Sequence, residues 1–185
     1  ASNNTAVGTD SLKANTTGTN NVAVGIQALA SNTTANHNTA LGRVCLFDNT
    51  TGEKNTAVGS GVLANNTTAS NNTGLGFECL TQNTTGTQNV AVGAFALDAN
   101  TTASENTAVG YNALSTNTEG IENTGIGRQA LLTNSTGGFN VAVGVNALYQ
   151  NTTASNNTAI GHGALTLNTT GTQNTAVGSG ALDAI

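Results

Sequence analysis

Residues 86–102 read GTQNVAVGAFALDANTT, and residues 103–119 read ASENTAVGYNALSTNTE. The two stretches carry Asn, Ala-Val-Gly, Ala-Leu and Asn-Thr at the same places, and the whole chain keeps a period of 17 residues without insertion or deletion. One such unit cannot bury its own apolar residues, but stacked units bury them in continuous columns. The sequence therefore predicts a single all-β domain over residues 1–185, a β-solenoid (parallel β-helix or β-roll) of eleven 17-residue coils.

Constant columns define the repeat. Counting the positions of each coil from Ala1, position 4 is Asn, position 8 is Gly and position 12 is Leu in all eleven coils, and position 15 is Asn in the first ten. These columns begin with Asn4, Asn21, Asn38, Asn55, Asn15, Asn32, Gly8, Gly25, Leu12 and Leu29. Because a Gly and a Thr pair recur in nearly every coil, no apolar stripe of helical period survives, and helix is excluded.

Each coil contains a short β-prone segment at positions 5 to 7, typically Thr-Ala-Val, which ends at the Gly of position 8. A second segment at positions 10 to 13 is expected to carry Ala-Leu toward the interior, and Asn-Thr-Thr before Gly or Ala is typical of a corner. Coils stacked at about 4.8 Å would form a column of Leu, one of Val, Ile and Leu, and one of small residues. Positions 2, 3, 9, 10, 13 and 14 vary, which predicts that they face solvent, a glycan or a partner.

The two Asn columns predict side-chain ladders. Identical amides stacked in register can hydrogen-bond along the column. Asn is also a good turn residue, but a turn role alone would admit Asp, Ser or Gly, and none occurs in the 21 places at positions 4 and 15. We therefore expect these Asn side chains to point inward or to line the corners.

Composition argues against nucleic-acid and membrane partners. The net charge is −5, and the four cations, Lys13, Arg43, Lys54 and Arg128, are too dispersed to follow a phosphate backbone. No apolar run approaches the ~20 residues needed to span a bilayer. We expect neither nucleic-acid binding nor membrane insertion.

The ends of the chain continue the repeat instead of departing from it. Solenoids usually carry atypical capping coils, because a bare end exposes apolar columns and unpaired backbone groups. Here the one departure is Ile185, which stands where Asn is expected. We expect copies to stack end to end, with Ile185 of one copy against Ala1 of the next. The alternative is that the sequence is a piece of a longer repeat protein.

Segments such as NTAVG at residues 55–59 and NVAVG at residues 89–93 resemble the SVAIG-type motif in the head repeats of YadA-type trimeric autotransporter adhesins. The full unit, NTAVGxxAL followed by NTTGxxN, is similar to repeats of phage tail fibres and related surface fibre proteins. The first resemblance implies a left-handed β-roll that forms trimers, although the autotransporter repeat is shorter than 17 residues. It further implies that Val7, Val24 and Val58 face a shared core, and that Ala6 and Ala23 allow close packing.

Reactive side chains are few and scattered. Cys45 and Cys79 take the place of Ala at position 11, two coils apart. That separation, about 9.5 Å, exceeds the ~7 Å limit for a disulfide, so we expect buried free thiols. His37 and His162 lie seven coils apart and cannot share a metal, and no two carboxylates face each other for acid–base work. The sequence predicts no enzyme, no cofactor and no metal site.

Asn-x-Ser/Thr sequons occur thirteen times, nine of them at position 15. The repeat needs Asn-Thr-Thr for its corner, and a buried ladder excludes glycosylation there. The more exposed candidates for glycosylation are Asn3, Asn71 and Asn156, at variable position 3.

Three functions fit these patterns. The first is a structural, non-enzymatic shaft or subunit of an extracellular fibre or filament on a cell or virion surface, with copies of the chain itself as partners. The second is an adhesin or receptor-binding phage fibre that recognises a cell-surface receptor or glycan through the aromatic residues Phe47, Phe77, Tyr111 and Tyr149. The third is ice binding, which would need alternate Thr on one face, and positions 17 and 2 supply such pairs only at Thr17/Thr19, Thr85/Thr87 and Thr170/Thr172.

Overall fold

The computed structural model describes residues 1–183, and each coil contributes one three-residue strand followed by turns and bends. The eleven strands, β1 to β11, are Thr5–Val7, Val22–Val24, Thr39–Leu41, Thr56–Val58, Thr73–Leu75, Val90–Val92, Thr107–Val109, Thr124–Ile126, Val141–Val143, Thr158–Ile160 and Thr175–Val177.

The strands form one parallel sheet in sequence order from β1 to β11. Every strand pairs with the strand 17 residues further along, so that Ala91 lies opposite Ala108 and Val92 opposite Val109. Identical positions of successive coils are therefore direct neighbours. The predicted all-β solenoid with 17-residue coils stacked in register is confirmed.

Within each strand only the middle residue, position 6, points inward. From Ala23 onward the described residues at this position are buried, and Ala91 and Ala108 are fully so. Residues at positions 5 and 7 point outward because side chains alternate along a strand. The prediction that coil stacking buries a column of Val, Ile and Leu is wrong. Val7 is 57% exposed and Val177 is 68% exposed, and the inward place beside the Leu column is taken by Ala.

The rest of the core comes from positions 11 and 12. The Leu column is buried from Leu12 to Leu165, and Leu29 to Leu165 are fully buried, as predicted, whereas Leu182 in the last coil is 48% exposed. The segment that carries it consists of turns rather than a second strand, and Leu97 adopts a left-handed φ of 51°. This conformation lets two consecutive residues, at positions 11 and 12, both lie in the interior without a strand.

The Gly column at position 8 is required by close contact between coils. Gly93 has a φ of 130°, and a Cβ placed there would overlap the carbonyl of Gly110 in the next coil. Glycine has no Cβ and tolerates this part of the φ range. The chain can therefore leave each strand sharply while the coils remain in contact.

Both predicted Asn ladders are present, with eighteen fully buried Asn side chains. At position 4, the backbone N–H of Asn106 donates to Oδ1 of Asn89 at 3.0 Å, and Nδ2 of Asn106 donates to the carbonyl of Gly120 at 2.8 Å. At position 15, Nδ2 of Asn100 donates to Oδ1 of Asn83 at 2.8 Å. The amides thus satisfy both one another and the backbone at two corners of the coil.

A third ladder, at position 2, was not expected, because the sequence indicates a freely variable position there. The backbone N–H of Thr19 donates to Oδ1 of Asn36 at 2.8 Å, and that of Thr87 donates to Oγ of Ser104 at 3.0 Å. Position 2 is Ser, Thr, Asn or Glu in nine of the eleven coils. The variation is therefore restricted to side chains that offer a hydrogen-bond acceptor, apart from Ile121 and Gly138.

The interior compensates for changes of size between neighbouring coils. Val62 replaces the usual Ala at position 11 and is fully buried, and Gly74 replaces Ala at position 6 of the next coil. A Cβ on Gly74 would overlap Cγ1 of Val62 and lie 3.2 Å from Sγ of Cys79. The larger Val62 thus fits against the smaller Gly74. Neither of these two coils could be exchanged for another coil without a change in packing.

We predict that Asn66→Ala lowers the free energy of unfolding by about 2 to 3 kcal/mol, because it leaves several buried polar atoms without partners. Nδ2 of Asn66 donates to Oδ1 of Asn49 at 2.9 Å and to the carbonyl of Ala69 at 3.0 Å. The neighbouring substitution Asn65→Ala, outside the ladders, should cost less than about 0.5 kcal/mol. Urea unfolding of both variants checks this, and equal losses would contradict the ladder's role.

We predict that Gly74→Ala destabilises the chain by about 1 to 3 kcal/mol through overpacking against Val62. Val62→Ala alone leaves a cavity and is also destabilising. The double variant recreates the Ala–Ala arrangement of other coils and should recover most of the loss, as measured in a double-mutant cycle. Strictly additive losses would contradict the compensation.

Candidate functional site

The most regular surface of the molecule is the outer side of the sheet, formed by positions 5 and 7 of all eleven coils. We call these 22 positions the outer sheet face. Position 5 holds eight Thr and three Val, and position 7 holds seven Val, two Leu and two Ile. The thirteen charged residues of the chain all lie at other positions.

Apolar side chains on this face are open to solvent in the single chain. Leu75 is 48% exposed, Ile160 is 41% exposed and Ile126 is 39% exposed. At a strand spacing of about 4.8 Å, eleven strands extend over about 50 Å. The outer sheet face is therefore a long, narrow, uncharged strip with partly exposed apolar residues along its whole length.

An aromatic cluster lies next to this strip on three successive coils. We define it as Phe77, Phe95 and Tyr111, at positions 9, 10 and 9 of the repeat. The rings of Phe77 and Phe95 meet edge to face with centroids 5.5 Å apart, and those of Phe95 and Tyr111 with centroids 6.2 Å apart. Phe77 is 46% exposed and Tyr111 is 50% exposed.

The cluster could be predicted only in part. The sequence singles out Phe77 and Tyr111 among the aromatic residues at variable positions, but not Phe95, which joins them. Positions 9 and 10 are adjacent in every coil, so the register places Phe95 between the two other rings. Phe47 and Tyr149 take part in no ring pair within residues 1–183.

Cys45 and Cys79 are fully buried free thiols, as predicted. They lie on either side of Val62 in the position-11 column, and Sγ of Cys45 donates to the carbonyl of Gly59. Burial raises the pKa of Cys45 to about 11 and that of Cys79 to about 12. Because the thiolate is the reactive form, both residues are structural and unreactive at neutral pH.

The other titratable groups are dispersed. His37 and His162 are both exposed, seven coils apart. In the described part of the chain, no three His, Cys, Asp or Glu side chains gather in a group that could hold a metal, and no pocket is present there. Lys13 and Asp10 form an ion pair at 3.2 Å between largely exposed side chains. Residues 1–183 include no helix with the length and apolar character that crossing a membrane requires.

Asp98, at position 13, is a carboxylate whose acidity is altered by its surroundings. Burial raises the pKa of this side chain, and the nearby Glu78 carboxylate raises it further. Its buried Oδ1 has no hydrogen-bond partner.

Twelve of the thirteen sequons fall into two structural classes, and the remaining one, Asn65 at position 14, is partly exposed. Those at position 15 lie on the buried ladder, for example Asn32 and Asn168, and cannot accept a glycan in the folded chain. Asn3, Asn71 and Asn156 are exposed, so glycosylation there stays a prediction. Of the two residues expected to meet end to end, Ala1 is exposed, and Ile185 lies outside the described residues.

A comparison of this chain with protein-family models, with curated proteins and with solved structures found no match. The resemblance to autotransporter heads therefore depends on the NTAVG and NVAVG segments alone, and the resemblance to phage tail fibres on the unit NTAVGxxAL followed by NTTGxxN.

Proposed function

We propose that this chain is the non-enzymatic shaft of an extracellular fibre, on a cell or virion surface, and that copies of it pack side by side through the outer sheet face. The observation that carries the proposal is the absence of charge from all 22 positions of that face. A sheet surface that remains in water usually alternates with polar and charged residues. A surface that becomes buried between copies does not tolerate charge without a partner.

The exposed apolar area supports the same proposal. Monomeric proteins rarely leave a large continuous apolar patch in water, and such patches mark interaction surfaces. Here Leu75, Ile126 and Ile160 belong to one column of Val, Leu and Ile that continues over all eleven strands. Because the surface repeats with the coils, its natural complement is another surface with the same repeat, which a second copy provides.

The interior suits a shaft. Each coil is joined to the next by a three-residue strand and by the Asn ladder at position 4. The ladder at position 15 joins the first ten coils, and position 2 adds hydrogen bonds between some of the coil pairs. Length is added by adding coils, since each coil contacts only its neighbours. No catalytic group is needed for this role.

Stacking along the axis is a further part of the proposal. The ladders have a direction, since each Asn at position 4 donates its backbone N–H to the Oδ1 of the preceding coil. Copies that extended the columns would therefore have to join head to tail. The resemblance to autotransporter heads implies three chains around the fibre axis.

Ice binding is the second candidate, and one observation favours it. Eight of the eleven residues at position 5 are Thr, and they point outward from strands that repeat at about 4.8 Å. A regular array of hydroxyl and methyl groups without charge is the kind of surface that matches a crystal of water. Ice binding requires that the outer sheet face is not covered by another copy. A monomeric chain that shows thermal hysteresis would therefore favour ice binding over the function of a fibre shaft.

We predict that the double substitution Ile126→Lys and Ile160→Lys separates the copies that pack side by side and lowers the mass of the oligomer. Both residues are partly exposed in the single chain, so the fold should persist, whereas two lysines buried between copies would lack partners. Light scattering coupled to size-exclusion chromatography measures the change in mass. The matched control is Thr136→Lys with Thr170→Lys, which adds the same charge to the same two coils at exposed sites away from the face.

The control should keep the mass of the unsubstituted chain. A chain that is monomeric before any substitution contradicts the proposal, and so does an oligomer whose mass is unchanged by lysine at both positions of the face.

A further inference from the structure

We infer that the aromatic cluster of Phe77, Phe95 and Tyr111 contacts the neighbouring copy of the chain and fixes the axial register between copies. This inference depends on the proposed packing through the outer sheet face. The occupant of the surface is a second copy of this chain.

A periodic interface has a register problem. Positions 5 and 7 carry nearly the same residues in every coil. If one copy slides by one coil, about 4.8 Å, most residues of the face therefore meet the same residue types as before. Only the contacts of one end coil are lost at each step. In sheets, too, a register that the side-chain pattern does not specify strongly is prone to slippage. The outer sheet face alone therefore favours full overlap over a one-coil slide only by the contacts of one end coil, and a feature that does not repeat strengthens that preference.

The aromatic cluster is such a feature. Its three rings occur on consecutive coils and contact one another at 5.5 and 6.2 Å. One coil beyond the cluster at either end, position 9 is Ser60 or Arg128. A slide by one coil would therefore replace an aromatic contact by one with a small polar or a charged side chain.

The area that a stable interface requires indicates that the contact also includes the aromatic cluster. Eleven strands of three residues cover about 50 Å by about 10 Å, or about 500 Å². Stable interfaces bury about 800 Å² on each partner. The face alone is therefore too small for a stable contact, and residues beside it must contribute. The rings of Phe77 and Tyr111, two residues beyond their strands, are partly exposed and supply apolar area there.

The chemistry of the cluster suits this role. Aromatic residues dominate the energetics of interfaces, and those near the centre contribute most. Phe77, Phe95 and Tyr111 lie on the fifth, sixth and seventh of eleven coils, at the middle of the rod. Their partial exposure in the single chain leaves ring surface available for a second copy.

The test replaces the rings by residues that other coils already carry. Phe77→Ser and Tyr111→Ser copy position 9 of the coils of Ser60 and Ser179. Phe95→Asn copies Asn112 and suits the left-handed φ of 58° at position 10. The matched control is Phe139→Asn at position 3, which removes a ring that is 49% exposed outside the cluster.

The readout is the methyl spectrum of selectively labelled isoleucine in the assembled chain. Ile126 and Ile160 lie on the outer sheet face, and Ile121, at position 2, lies on another side and reports the fold. In the unsubstituted oligomer and in the control, we expect one resonance for each. In the triple variant, we expect Ile126 and Ile160 to split into several resonances or to broaden, while Ile121 stays single.

A triple variant that remains assembled with single resonances for Ile126 and Ile160 overturns the inference. If the triple variant instead dissociates where the control stays assembled, the cluster contacts the neighbouring copy, and the register is then read from Tyr111→Ser alone, which keeps two rings. An unsubstituted chain that is monomeric overturns the proposed function itself, and mass measurement separates that failure from a failure of the register inference.

Discussion

The fold depends on buried Asn side chains that satisfy the backbone at places where no strand can do so. Each coil has only three residues in the sheet. Backbone bonds between coils continue outside it, as from the N–H of Leu97 to the carbonyl of Ala113 at 3.1 Å, and the Asn amides bond the backbone groups that remain at two corners. An unpaired buried group is costly. The amides at positions 4 and 15 are both donors and acceptors, and they bond to the next coil and to the corner carbonyls at once. Asp lacks the donor and Ser lacks the reach, which explains why neither replaces Asn.

The same constraint determines the shape of the outer surface. With Asn, Leu and Ala filling the interior, there is room for only one strand side chain, and it is small. The β-branched residues of the strand are therefore turned outward, where they supply strand propensity and create the outer sheet face. A chain with a polar, hydrogen-bonded interior and an apolar outer strip is stabilised further by covering that strip. The proposed side-by-side packing follows from how the coil is filled, and the aromatic cluster adds the one contact that does not repeat.

Much of this could be predicted from the sequence because the period is unbroken. The 17-residue register, the buried Leu97 and Leu114, and the ladder through Asn89 and Asn106 all follow from identical residues in identical places. The direction of the Val column could not be predicted, since Thr-Ala-Val alternates equally well with either Ala or Val inward. The choice depends on the width of the interior, which a one-dimensional pattern does not contain. The position-2 ladder could not be predicted because Ser, Thr, Asn and Glu all accept hydrogen bonds but look like free variation in the sequence. The aromatic cluster could not be predicted in full because Phe95 and Tyr111 belong to different coils and meet only when the coils are stacked.

The central claim is that the Asn amides are buried and bonded between coils, and side-chain hydrogen exchange tests it most directly. In a chain with isotope-labelled asparagine, the exchange rate of each side-chain amide can be followed by nuclear magnetic resonance. The account predicts that the eighteen buried Asn side chains exchange far more slowly than those of the exposed Asn71 and Asn156. Side-chain amides that all exchange at the rate of exposed asparagine, under conditions where the strands remain protected, would contradict it.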